Sequence, residues 1–180
     1  MVRVLLWTAG VVLALLGVFA GVVAMQPNRF TVQREATIPA PPQKVFVKVN
    51  NFRAWEEWSP WAKLDPNAKA TFEGPEAGEG AIFRWSGNSD IGEGNMTIVE
   101  SVPGEKVRIK LVFIRPMAGE CENIFTFTPI PEGGTRITWT MTGENDFMGK
   151  AMCLFMSMDK VLGAEFEKGL NSLREVTASK

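Results

Sequence analysis

The sequence predicts an α+β fold, in which a curved antiparallel sheet of about seven strands wraps a long C-terminal helix and one transmembrane helix precedes both. Three observations carry that expectation. Stepping 100° per residue from Met148, the residues Met152, Phe155, Leu162, Phe166, Leu170 and Leu173 fall within about 40° of it. They form one apolar stripe on a helix of ~30 residues, from Asp146 to Glu175. The chain before that stripe breaks into short alternating runs separated by glycine and proline. Ahead of everything, Val4–Met25 is 22 residues without a charge, enough at about 1.5 Å per residue to cross a bilayer core of ~30 Å.

That first segment, residues 1–28, reads as an uncleaved single-pass anchor. Arg3 and Trp7 stand at one end, and Gln26, Pro27, Asn28 and Arg29 close the other. A cleaved signal peptide competes with this reading, because Val22-Val23-Ala24 offers small residues at a cleavage position. Signal-peptide apolar regions run to about 7–15 residues, and this one is longer. Arg3 against Arg29, Arg34 and Lys44 is too small an asymmetry to orient the span.

Residues 29–180 read as one domain. Phe30, Val32, Ala36 and Ile38 alternate with polar neighbours, giving a first strand that Pro39, Pro41 and Pro42 stop. A short helix follows through Val45, Phe46 and Val49. A second carries Phe52, Trp55 and Trp58 until Pro60 ends it. Strands are then expected over Ala70–Glu73, Ala81–Ser86, Asn95–Val102, Lys106–Phe113, Glu122–Thr128 and Thr135–Thr142. Glycine and proline mark the turns between them, including a hairpin loop at Gly87–Asp90. Strands adjacent in sequence pair antiparallel, so the helix should lie on the concave face of such a sheet.

Composition narrows the function. The chain is 46% hydrophobic and 22% charged with a net charge of −1, which provides no electrostatic footprint for nucleic acid. Histidine and tyrosine are both absent, removing the commonest general base near neutral pH and the commonest metal ligand. Cys121 and Cys153 lack metal-type spacing and are expected as free, buried thiols. Neither Gly92-Glu93-Gly94 nor the Gly74–Gly80 run is a phosphate loop, since Glu73, Glu76 and Glu79 would repel the anion. No cofactor or metal is implied.

Local wording resembles a known family. Ala40-Pro41-Pro42 with Val45-Phe46 is similar to the first helix of the START-like (SRPBCC) superfamily, which includes the pollen-allergen-type carriers. Phe52-x-x-Trp55-x-x-Trp58-Ser59-Pro60-Trp61 and Leu64-Asp65-Pro66 resemble its polyketide cyclase/dehydrase and lipid transport branch. So do Trp85-x-Gly87-Asn88, Gly92-x-Gly94 and Phe166-Glu167-x-Gly169-Leu170. The resemblance spans about Phe30 to Arg174 and implies a helix-grip fold. It implies function less sharply, because one fold hosts many activities.

The resemblance points to a pocket for a hydrophobic small molecule or lipid. Trp55, Trp58 and Trp61, at a spacing of three, are candidates for its mouth, or for a plug of ordinary core. Trp85, Ile109, Leu111, Phe125, Phe127 and Trp139 are candidates for its wall, facing Phe155 and Leu162, or for a filled interior. Asp159 falls in the middle of the apolar stripe, where an unpaired charge would be costly. Two explanations stand. The helix breaks near Ser157 and Asp159 sits in a first turn, favoured by free N–H groups. Otherwise the helix is continuous and Asp159 is the polar handle of the pocket.

Glu93, Glu122, Glu144, Asp146 and Asp159 are the carboxylates available for catalysis, and no spacing pairs two of them. Cyclases of this fold commonly use His, Tyr or Arg, and two of those are missing here. The expected function is therefore a membrane-tethered module binding a hydrophobic molecule or lipid. A polyketide cyclase-like enzyme and a ligand-free partner-binding module are the alternatives, and no protein partner is specified.

Overall fold

A computed structural model describes residues 2–178. The chain runs α1 (Val2–Ala24), β1 (Arg29–Ile38), α2 (Pro42–Asn50), a 3-10 turn (Phe52–Ala54), α3 (Trp55–Trp58), β2 (Lys69–Glu73) and β3 (Ile82–Ser86). It continues through β4 (Glu93–Val102), β5 (Lys106–Arg115), β6 (Gly119–Pro129), β7 (Thr135–Glu144), α4 (Phe147–Phe155) and α5 (Met158–Ala178). The alternating runs pair into one seven-stranded sheet of order β1-β7-β6-β5-β4-β3-β2, antiparallel throughout. The first strand closes against the last, in register from Arg29 opposite Glu144 to Ile38 opposite Thr135.

Period-two alternation sorts the two faces. Val32, Ile98, Ile109, Phe125, Ile137 and Trp139 point inward and are buried. Outward, Arg108 bonds Glu100 and Glu122, each at 3.0 Å, and Lys110 bonds Glu120 at 3.0 Å. Cross-strand ion pairs of this kind suit the solvated face of an antiparallel sheet. Helix α5 crosses the inner face, packed chiefly on β1, and buries Phe166, Leu170 and Leu173. Its Phe166 stacks on Trp139 with ring centroids 4.0 Å apart. Between β1 and β2 the chain folds α2 and α3 over one end of the sheet. There the indole N–H of Trp55 donates to the Val49 carbonyl at 2.9 Å, and that of Trp58 to the Lys48 carbonyl at 3.1 Å. Both rings thereby enter the core with their polar atoms satisfied.

The stripe is carried by two helices, as the broken-helix explanation of Asp159 expects. Met156 adopts extended backbone, φ −134° and ψ 129°, and α4 stops there. Ser157 restarts the helix, its carbonyl accepting from the N–H groups of Lys160 and Val161, each at 3.1 Å. The apolar phase runs unbroken across this junction, so periodicity cannot reveal it. Yet the two halves of the stripe have different surroundings. Phe166, Leu170 and Leu173 of α5 are core, whereas none of the α4 residues is buried.

Helix α1 is long and apolar enough to cross a membrane from Leu6 to Ala24, a test that a signal sequence also passes. Four residues separate its end from β1.

Candidate functional site

The inner face of the sheet divides into a closed half and a half-open one. At the closed half, α2 and α3 supply Phe46, Trp55 and Trp58, and the sheet supplies Phe125, Phe127 and Trp139. Phe125 and Trp139 sit 4.8 Å apart, with Trp58 edge-on to both. Of the expected pocket residues, Trp58, Trp139, Phe125 and Ile109 are 0–2% exposed, and Leu111 is also buried. Large rings in mutual contact fill this volume, so these side chains act as core.

The other end, toward the start of β1 and the end of β7, is less covered. Strand parity carries the inward row of β5 to Phe113 and that of β6 to Cys121, and Trp85 of β3 lies 6.2 Å from Phe113, edge to face. Trp85, Phe113, Cys121 and Leu162 are half-buried and pack against the core from its open side. Local sequence explains why Trp85 lies flat there. A Cβ on Gly94, its cross-strand neighbour, would stand 2.5 Å from the indole ring and from the Val112 carbonyl oxygen. The indole N–H donates to the Ile91 carbonyl at 2.9 Å, which ties the ring to the β3–β4 loop. Asp65 holds the same loop, accepting the Asn88 N–H at 2.7 Å. The separated motifs Leu64-Asp65-Pro66, Trp85-x-Gly87-Asn88 and Gly92-x-Gly94 thus form one structural unit.

One expectation about the candidate residues is corrected and another is met. Phe155 is 79% exposed on α4 instead of facing the strands, because the break at Met156 turns α4 away from the sheet. Asp159 does lie in the first turn of a helix, as the broken-helix explanation requires. Its charge, however, is matched by Arg34 of β1, whose guanidinium donates to it at 2.8 and 3.2 Å and to Glu167 at 2.7 Å. The Arg34 hydrogen bond holds the Asp159 carboxyl below its ordinary range despite an opposing desolvation. Sequence reasoning missed Arg34, although a signal existed. It has the inward parity of Phe30, Val32, Ala36 and Ile38, a lone charge on an apolar face. Gly163 makes room for it, since a Cβ there would strike the guanidinium.

Trp61 is half-buried, edge-on to Trp139 and Phe166 at 6.0 and 6.3 Å. Cys121 and Cys153 are free thiols, half-buried where burial was expected. Partial burial still pushes the Cys121 thiol up to about 11, so it stays protonated and apolar in character at neutral pH. A crevice of about 240 Å³ near the β2 edge is bounded by Arg53, Phe72, Glu73 and Pro75, with Phe52 and Ala81 of the core also in its lining. Its charged rim suits water better than an apolar molecule. Among the described residues no cluster of cysteine and carboxylate side chains could hold a metal ion.

Comparison with known proteins agrees with this architecture. Residues 29–178 match the family described as polyketide cyclase / dehydrase and lipid transport. Similar solved structures include a protein from Chromobacterium violaceum, at 16% identity over 83% of this chain and 98% of that one, with a TM-score of 0.60. Another is the Aha1 dimer from Colwellia psychrerythraea, at 14% identity over 83% and 97%, with a TM-score of 0.58. A third is Ara h 8.0201, at 14% identity over 84% and 99%, with a TM-score of 0.59. At these identities the likeness is one of fold: a helix-grip sheet around a C-terminal helix. No match was found among curated proteins.

Proposed function

From the premise that this chain belongs to the polyketide cyclase / dehydrase and lipid transport family, we propose that it is a membrane-tethered domain binding a hydrophobic small molecule or lipid. The ligand sits at the half-open end of the concave face, against Trp85, Phe113, Cys121 and Leu162. One observation carries the reading: apolar side chains there are only half-buried, while the opposite end of the same face is sealed by rings. An apolar ligand would complete the burial that the fold leaves unfinished, at roughly 25 cal/mol per Å² removed from water. Helix α1 serves as the tether, keeping the domain beside the phase into which such a ligand partitions.

A panel of fatty acids and other amphiphiles titrated into the purified chain tests this. A saturable shift of tryptophan emission is expected, and Trp85→Leu should change affinity more than Trp7→Leu. The sealed half of the core favours a second reading, a partner-binding module without a ligand. Absence of any saturable shift across the panel would select it. Tethering is tested separately by fractionation after an alkaline wash, where the full chain should stay with the membranes. Recovery of a soluble chain beginning at Met25 would instead identify α1 as a cleaved signal sequence.

A further inference from the structure

Helix α4 is nearly all apolar and none of it is buried. Phe147, Met148 and Phe155 are each more than half exposed, at 53, 58 and 79%. Met156, just past its end, is exposed as well. Lys150 is its one charged residue. A contiguous apolar surface of this kind marks an interaction site.

Its position relative to α1 identifies what it meets. Only Met25–Asn28 separate Ala24 from β1, a reach of at most about 14 Å if fully extended. Those residues are not extended freely. The Asn145 side chain donates to the Pro27 carbonyl at 3.2 Å, and its backbone N–H donates to the Asn28 carbonyl at 2.8 Å. Asp146, the next residue, caps α4 by accepting the Gly149 N–H at 2.7 Å. Helix α4 accordingly lies against α1, and Val23 in the last turn of α1 is fully buried while its other described side chains are exposed. The β6–β7 register, Cys121 opposite Gly143, brings the β5–β6 turn to this same end of the sheet. Ile114, at the end of β5, and Met117, in that turn, are exposed.

If α1 crosses a bilayer, a helix packed on its last turns cannot be far from the headgroup layer. That layer is only about 5–8 Å deep on each side of the hydrocarbon core. Interfacial helices bury an apolar face to a depth of about 5–10 Å.

We propose that α4, together with the tip of the β5–β6 turn, docks on the same bilayer that α1 crosses. The half-open end of the concave face then opens onto lipid, so an apolar ligand reaches it without crossing bulk water. This rests on the reading of α1 as an uncleaved span, and the test separates the two.

The full, unsubstituted chain is reconstituted in phosphatidylcholine vesicles containing a phosphatidylcholine with a diazirine on its acyl chain. After photolysis, adducts are mapped by mass spectrometry. Adducts are expected on α1 and on residues 147–156, the latter several-fold above residues 42–50 of α2, where Val47 is an exposed apolar control. Adducts on α1 with residues 147–156 no higher than that control would overturn docking and leave the tether standing. Adducts on α1 and the strands carrying Trp85 and Cys121, but not on 147–156, would support the ligand site while also overturning docking. No adducts on α1 would remove the span, and the docking proposal with it. A Phe155→Glu, Met148→Glu chain, altered only at exposed positions, should lose the 147–156 adducts and keep those on α1. Unchanged adducts on both segments would count against docking.

Discussion

Asp159 shows how one contact changes the meaning of a residue. Alone on an apolar stripe it is an anomaly; beside Arg34 it is half of a tie between β1 and α5. A cap would tolerate asparagine, whereas an ion pair would not. Asp159→Asn and Asp159→Ala should therefore lower the melting temperature at pH 7 by similar amounts. The sign of the pH dependence follows from the depressed carboxyl. Its contribution is present above the ordinary aspartate value of 3.8 and is lost as pH falls through the lower folded-state value. Melting curves taken downward from pH 7 should show the gap between wild type and both variants shrinking once pH falls below 3.8. Convergence at pH 7 would mean the pair adds nothing to stability. At Gly94 the constraint is steric. Gly94→Val should displace the Trp85 ring and destabilise the domain by about 1–3 kcal/mol, read by urea denaturation and by tryptophan emission.

At the scale of elements, one uninterrupted apolar phase turns out to serve two environments. The strands, α2, α3 and the C-terminal part of α5 are all legible from local pattern, because all but the edge strand β2 bury one face against the same core. Helix α4 shares that pattern for a different reason: its apolar residues have no core to meet. Paired substitutions measure this difference. Phe166→Ala, under the stacked Trp139 ring, should cost about 3–5 kcal/mol in urea denaturation. Phe155→Ala should remain within about 0.5 kcal/mol of wild type. Equal losses at the two positions would mean that α4 packs on the domain after all.

For the whole molecule, the fold was readable because its determinants are periodic. Alternation every two residues, turns at glycine and proline, and helical stripes each specify an element, and antiparallel neighbours then leave few topologies. The span-length segment was equally plain, since its length and lack of charge are properties of the chain alone. Tertiary structure decided what lies between these elements. It decided that Trp58, Phe125 and Trp139 fill one end of the grip while Trp85 and Leu162 stay half-covered at the other. It decided that Arg34 neutralises Asp159, and it selected the broken helix from the two that Asp159 allowed, with the break at Met156. Burial and ion pairing depend on which residues meet from distant parts of the chain, as Arg34 meets Asp159 across 125 positions. A one-dimensional pattern states which residues are apolar. Only the packed chain states which of them have already found a partner.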